Sequence, residues 1–295
     1  KRGSNRFWAH WHGHWTMIEL LQQQLNKYKV TGPIEEERAT REIFQEVALY
    51  ALWRAGFFEV AAFQGGTSLR ILHDLPRFSE DLDFILKAPN PDFEWNPYLE
   101  KLLAGLLEFG LHPEAIDKSR MDQNVKRALL KDNSISNQLD LSFERDHLNR
   151  KLKIKLEIDI NPPGGSGFAY SYLDYPLDFE VCHQDLASNF SLKIHALLCR
   201  PFLKGRDWYD FNWYVKQNVH PNYAHLQSAL NQLGPWQGQS RTIDRNWLTD
   251  ALSEKIARIN WKEASADVTR FLSAAEQQSL TLWNKRFFLQ KIERI

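Results

Sequence analysis

Apolar residues along this chain follow two spacings, and the change from one to the other divides it into elements. Thr16 to Tyr28 places Met17, Leu20, Leu21 and Leu25 on one helical face. Gly32-Pro33 breaks that pattern. A longer helix is expected from Glu35 to Ala55, with Ile43, Val47, Leu49, Tyr50 and Leu52 at helical spacing and acidic residues in its first turn. Gly56 is its natural stop. A short apolar strand, Val60 to Phe63, runs into Gly65-Gly66, and Thr67 to Leu72 reads as one or two helical turns. After the Pro-rich link from Ala88 to Pro97, Tyr98 to Phe109 is an amphipathic helix. Gln138 to Phe143 reads as a strand.

The strictest alternation is KLKIKLEIDI, Lys151 to Ile160. Leu152, Ile154, Leu156, Ile158 and Ile160 form one face, and Lys153, Lys155, Glu157 and Asp159 form the other, as in a half-buried strand. Asn161-Pro162-Pro163-Gly164-Gly165 ends it. From Asp185 the spacing becomes helical. Asp185 to Arg200 is one helix, Pro201 and Gly205 break it, and Arg206 to Asp210 opens another. Asn222 to Ile295 reads as three or four helices with turns near Gly234-Pro235 and Gly238.

Composition narrows the class. The 295 residues suffice for one large domain or two modest ones, and no internal repeat or low-complexity segment interrupts them. Lys+Arg and Asp+Glu are equal at 37 each, so only local patches could draw the chain to a polyanion. Cys182 and Cys199 are too few for a disulfide framework, so a cytoplasmic location is expected. No apolar run has the length of a membrane span, and no membrane association is expected.

The chemistry concentrates in Phe63 to Leu86, FQGGTSLRILHDLPRFSEDLDFIL. Asp81 and Asp83 flank Leu82 on a strand, so both carboxylates point to one face while Leu82 and Phe84 point to the other. Two adjacent carboxylates call for a shared proton or a divalent metal. Gly65-Gly66 just upstream lets backbone N–H groups approach an anion. Thr67 either caps the following turn or bonds a phosphate. Arg77 either contacts a phosphate or pairs with Glu80 or Asp81.

Other candidates carry two readings each. Asp159, at a strand end, is a third metal carboxylate or part of an exposed charged face. Lys118, Arg120, Lys126, Arg127 and Lys131 face RNA or phosphates, or form a solvated helix face or basic strand. Asp207 and Asp210, with Arg206, suit local capping and pairing. His10, His12 and His14 alternate as metal ligands do, or belong to an aromatic arm packed on the body. The terminal Trp283 to Arg294 segment, with Lys285, Arg286, Phe287, Phe288 and Lys291, is a base-stacking surface or a packed helix.

Taken together, Gly-Gly-Thr-Ser-Leu, then Arg77-Phe78-Ser79-Glu80-Asp81-Leu82-Asp83-Phe84, then Lys193-Ile194-His195-Ala196 with Arg200 and Arg206-Asp207-Trp208-Tyr209-Asp210, resemble the AbiEii/AbiGii-type nucleotidyltransferase toxins of the DNA polymerase β-like superfamily. The resemblance runs from about Arg38 to Val215. It implies an α+β fold: a small mixed or antiparallel sheet flanked by helices, then a helical C-terminal part. The corresponding segments are an N-terminal arm and helix (1–34), a nucleotidyltransferase core (35–183) and a helical region (184–295). It implies transfer of a nucleoside monophosphate from an NTP with Mg²⁺ or Mn²⁺ to an acceptor, with RNA and a tRNA end foremost, and a cognate antitoxin partner. Asp81 and Asp83, with Asp159 as a third carboxylate, would hold metal. Gly65, Gly66, Thr67, Ser68, Arg77 and Ser79 would hold the triphosphate, Lys193 would neutralise phosphate charge, and Asp207 or Asp210 would complete the site. A small-molecule nucleotidyltransferase and a non-catalytic nucleotide-binding module are the alternatives.

Overall fold

The computed structural model of the chain describes residues 16–120, 123–143 and 152–295. The histidine alternation at His10, His12 and His14 lies outside the described residues, as does Lys151.

The described part is a seven-stranded mixed sheet packed by helices. In chain order the strands are β1 (Ala61–Gln64), β2 (Leu82–Leu86), β3 (Glu114–Asp117), β4 (Val125–Asp132), β5 (Leu152–Asp159), β6 (Phe168–Leu173) and β7 (Phe179–Gln184). Across the sheet they run β3-β4-β5-β2-β1-β7-β6. β2 pairs parallel to β5 and β1 parallel to β7, and the other neighbours are antiparallel.

The period-two segments fold as their pattern dictates. Leu152, Ile154, Leu156 and Ile158 of β5 are buried, while Lys153 and Lys155 stay exposed. In β2, Leu82 and Phe84 enter the core, where Phe84 meets Phe57 edge-on at 4.9 Å. The carboxylates of Asp81 and Asp83 therefore face the other way.

Helix α1 (Met17–Lys27) lays Leu21 and Leu25 against α2 (Pro33–Arg54). Proline at the start of α2 leaves no intrahelical donor wasted, and acidic side chains sit near its positive end. α2 buries residues from Ala39 to Leu52 on nearly every face because it lies between the sheet and α4 (Asn96–Glu108). Gly56 leaves it at φ 76°, a conformation glycine adopts without Cβ strain.

A second apolar cluster follows the sheet. It is built from α6 (Leu186–Cys199), α7 (Gly205–Lys216), α8 (Tyr223–Gln232), α9 (Arg245–Arg258), α10 (Trp261–Thr269) and α12 (Lys285–Ile292). α3 (Gly65–His73) joins the two cores, with Ile71 and Leu72 packed against the first and Leu69 in the second.

Two readings from the sequence need correction. Gln138 to Phe143 is not a strand. A short helix, α5 (Ser134–Gln138), forms because the Asp132 carboxylate accepts the Ile135 N–H at 2.8 Å, and the Glu36 carboxylate then takes the N–H groups of Ser142 and Phe143. Asn222 to Ile295 holds five α-helices rather than three or four, with α11 (Ala274–Gln278) as the fifth. The aromatic-basic C-terminus is a packed helix. Phe288 is fully buried and stacks on Trp261 at 4.1 Å, with Trp283 edge-on, so these rings are occupied inside the protein. Of the basic residues between Asp117 and Asp132, Lys126, Arg127 and Lys131 lie on β4.

Candidate active site

Strand β1 passes into α3 without a loop. Gly65 makes this bend at φ 77°, and a Cβ there would lie 2.8 Å from Asp83 Oδ2. A Cβ on Gly66 would lie 2.0 Å from the Arg77 guanidinium. The glycine pair thus makes room for a carboxylate on one side and a guanidinium on the other. The residue before α3, Gln64, makes no side-chain cap bond to its first turn, and a helix N-terminus suits an anion.

Thr67 and Ser68 turn inward. The Thr67 hydroxyl donates to the Asp81 carbonyl and tethers the helix to the acidic strand, so it is not a cap. The Ser68 hydroxyl donates to the Gly65 carbonyl at 2.9 Å and accepts from Asn189 Nδ2 at 3.2 Å. Asn189 Oδ1 in turn accepts the Gly65 N–H at 3.2 Å. Both hydroxyls are buried and occupied by protein partners.

Four acidic side chains share the sheet face below this bend. Strand register puts Asp83 opposite Glu157, and Asp159 one step further, opposite Ile85. Asp83 is pushed up to about 6 by burial first, then by Glu157 and Asp81. Burial likewise raises Asp81, whose Oδ2 has Lys155 Nζ at 3.9 Å. Among the described residues no cation pairs with Asp83. Glu157 accepts from Arg127 at 2.8 Å. Asp159 accepts the Asn161 N–H at 3.0 Å and closes the turn after β5. Among the described residues no group of three or more His, Cys, Asp or Glu side chains is close enough to hold a metal ion by itself.

The opposite wall is cationic and belongs to α6 and α7. Lys193 Nζ lies 2.9 Å from Asp207 and 2.9 Å from Asp210. Arg77 grips Asp210 through two bonds, of 2.5 and 2.6 Å. Arg200 pairs with Asp207. Burial opposes ionisation of Asp210, yet Arg77 and Lys193 outweigh it and hold the carboxyl at about 2. Lys193 is also disfavoured by burial, and Asp207 and Asp210 more than restore its charge. Lys204 has no ion pair among the described residues. Burial pulls its pKa down, and Lys193 and Arg206 oppose its charge.

These walls enclose a cavity of about 450 Å³ lined by Gly65, Gly66, Ser79, Asp81 and Asp83 below and by Lys193, Arg200, Lys204 and Asp207 above. Arg77 also reaches it, with its guanidinium committed to Asp210 rather than to Glu80 or Asp81. Asp210 is fully buried behind the wall. Asp207 and Asp210 do not pair locally with Arg206, which instead lies 3.7 Å from Glu80 and over the Phe271 ring. Sequence reasoning passed over Glu157, Asn189 and Lys204. Asn189 had a signal, because it shares a helical face with Lys193, Ala196 and Arg200. Glu157 shares its strand face with Asp159, and only the register separates them.

The cavity thus has adjacent carboxylates at one wall and lysines at the other. Such a layout suits a nucleotidyl-transferring enzyme. Residues 47–290 match the family described as Nucleotidyl transferase AbiEii toxin, Type IV TA system, and the chain belongs to this family of nucleotidyltransferase toxins of toxin–antitoxin systems. The match runs past the Arg38–Val215 stretch that carries the motifs and takes in most of the terminal helices.

Among solved structures the chain is similar to MenT4, a nucleotidyltransferase toxin of Mycobacterium tuberculosis. TM-score is 0.50 and identity 16%, over 94% of this chain and 97% of that one. It is also similar to JHP933 of Helicobacter pylori, with TM-score 0.44 and identity 16%, over 85% of this chain and 94% of that one. The first likeness supports the fold. No curated protein sequence matches the chain. The family implies an NTP substrate and an antitoxin. Among the described residues no helix is long and apolar enough to cross a membrane.

Proposed function

We propose that this toxin transfers a nucleoside monophosphate from an NTP to a hydroxyl of RNA, a tRNA end being the foremost acceptor, in a divalent-metal-dependent reaction in the cytoplasm. The observation that carries this reading is the placement of Asp81 and Asp83 across one cavity from Lys193 and Lys204.

The residues fit a metal. Asp83 stands half-buried beside two other carboxylates, with no cation bonded to it among the described residues, and desolvation first, then the repulsion of Glu157 and Asp81, raises its pKa. Mg²⁺ needs only one or two protein carboxylates when substrate phosphates complete its shell, so the lack of a three-ligand protein cluster agrees with this assignment. Asp81 and Asp83 would hold it, with Glu157 directly opposite Asp83 in the strand register. Asp159 stands at the cavity wall, beyond that pair. Bound there, the metal would supply Lewis-acid stabilisation of the reacting phosphate.

The chain's own residues do the rest. The first turn of α3 at Gly66, beside the Gly65 N–H that Asn189 holds, offers a backbone donor to phosphate oxygens. Ser79 lines the same cavity beside Asp81. Lys193 and Lys204 neutralise charge that builds on the leaving pyrophosphate, from positions fixed before the reaction begins. Asp207 and Asp210 act as positioning residues: Asp210 locks Arg77 and Lys193, and Asp207 locks Lys193 and Arg200. Arg77, pinned on Gly66, fixes the glycine bend.

The test is incubation with each labelled NTP, Mg²⁺ and total RNA. Label should enter RNA with wild type and not with Asp81→Asn or Asp83→Asn. Full activity in either variant removes the proposed role of these carboxylates.

A further inference from the structure

All but one of the basic side chains lining the catalytic cavity are committed to protein partners. Lys193 is held at 2.9 Å by both Asp207 and Asp210, Arg77 is held by Asp210, and Arg200 by Asp207. Arg206 lies 3.7 Å from Glu80 and over the Phe271 ring. His195 Nε2 donates to the Leu233 carbonyl at 2.9 Å. Lys204 is the exception. Among the described residues its ammonium has no ion pair and no hydrogen bond.

The root of this side chain is nevertheless fixed. The Lys204 carbonyl accepts the Asp207 N–H at 3.1 Å where α7 begins, and the Gly205 N–H donates to Asp267 at 2.8 Å. A Cβ on Gly205 would lie 1.9 Å from the Ala264 carbonyl oxygen, so α10 clamps the backbone one residue on. The tip faces the acidic wall: of the cations around Asp83, Lys204 lowers its carboxyl most, ahead of Lys193. Lys204 can therefore change its bonding or its charge without breaking an ion pair.

Nucleotidyl transfer expels pyrophosphate, whose departing oxygen gains negative charge as its bond breaks. A group that protonates this oxygen must be able to release a proton at working pH. The guanidinium groups of Arg77, Arg200 and Arg206 do not. Burial disfavours the Lys193 charge, but Asp207 and Asp210 outweigh it and hold its proton more tightly than in an ordinary lysine. The proton on His195 Nε2 is spent on Leu233, and burial opposes a second one. Lys204 is different. Burial pulls its pKa down, and Lys193 and Arg200 of α6 and Arg206 of α7 act in the same direction. Asp207 of α7 and, across the cavity, Asp83 of β2 favour the charged form.

We infer that Lys204 is the general acid of the transfer: its Nζ–H protonates the oxygen of the departing pyrophosphate as the bond from that oxygen to the α-phosphorus breaks. The acceptor hydroxyl oxygen forms the new bond to the α-phosphorus and releases its proton to solvent. The neutral Lys204 amine regains a proton from solvent, so the cycle closes with no further reactant. This role rests on the proposed transfer from an NTP and adds a proton where that proposal placed only a charge.

The experiment uses the full chain with Mg²⁺, total RNA and α-labelled NTP, and the variants Lys204→Arg and Lys204→Ala. Arginine keeps the charge but does not give up its proton. Melting temperatures should match wild type, since Lys204 has no ion pair to lose among the described residues. NTP affinity, by calorimetry without RNA, should stay near wild type in Lys204→Arg and fall in Lys204→Ala. The single-turnover rate of RNA labelling should fall about 100-fold or more in both. Wild type should slow at alkaline pH as Lys204 loses its proton, and that limb should vanish in Lys204→Arg. An NTP bridged by β,γ-difluoromethylene, whose leaving group is less basic, should recover most of the rate lost in Lys204→Arg. A wild-type rate in Lys204→Arg, or a loss that the less basic leaving group does not relieve, would overturn the acid and leave Lys204 a countercharge. Wild type that binds no NTP and labels no RNA would instead strike the transfer reading itself, and the acid with it.

Discussion

Asp210→Asn tests the idea that the cationic wall is held by a buried carboxylate. Asp210 is fully buried and takes bonds from Arg77 at 2.5 and 2.6 Å and from Lys193 at 2.9 Å. The amide keeps the shape but removes the charge, so a buried guanidinium loses the one carboxylate it pairs with among the described residues. Lys193 keeps Asp207. Breaking one partner of a buried pair costs about 3–5 kcal/mol, because the remaining charge is left uncompensated. Urea denaturation of the purified protein measures this as a lower midpoint at unchanged slope. Replacing both partners, Arg77→Met with Asp210→Leu, should recover much of the loss, since an apolar pair of similar volume avoids the desolvation cost. A loss below about 1 kcal/mol for Asp210→Asn, or a double variant no more stable than the single, would refute the reasoning.

The same carboxyl sets an acid limit. Its folded pKa, about 2, lies below its ordinary 3.8, so its stabilisation is complete at neutral pH and is lost as pH falls through about 2. The gap in stability between wild type and Asp210→Asn, followed by urea melts from neutral pH downward, should hold to about pH 4 and then shrink; a gap independent of pH would contradict it. Gly66→Ala drives a methyl into the Arg77 guanidinium and should cost about 1–3 kcal/mol by overpacking, read by thermal melting. Mg²⁺ with NTP should raise the melting temperature of wild type and not of Asp83→Asn; equal shifts would place the cation elsewhere. Lys204→Ala should weaken NTP binding with little change in stability, since Lys204 has no ion pair to lose among the described residues, and calorimetry beside a melt separates the two effects.

The fold was legible where one face of an element is apolar and the other polar. β5 and the Asp81–Asp83 strand read directly, because a one-residue slip would bury lysines or carboxylates. The glycine bend was legible as a feature but not for its reason: Gly65 and Gly66 yield space to Asp83 and Arg77, contacts fixed only when distant segments meet. The partners of Asp207 and Asp210 were illegible for the same cause. Local spacing favoured pairing with Arg206, while the folded chain brings Arg77 across from far upstream. Strand register, invisible in one sequence, decides that Glu157 rather than Asp159 stands opposite Asp83. The error at Gln138–Phe143 arose from a buried Glu36 that takes the backbone donors a strand would have needed.

The central claim is that this cavity cleaves an NTP between its α- and β-phosphates and leaves the nucleoside monophosphate on RNA. The most direct measurement supplies the protein and RNA in parallel with NTP labelled at the α-phosphate and NTP labelled at the γ-phosphate. The account predicts that α-label becomes covalently attached to RNA while γ-label is released as pyrophosphate, and that Asp83→Asn abolishes both. Transfer of the γ-label to RNA, or attachment of α-label that persists in Asp83→Asn, would contradict it.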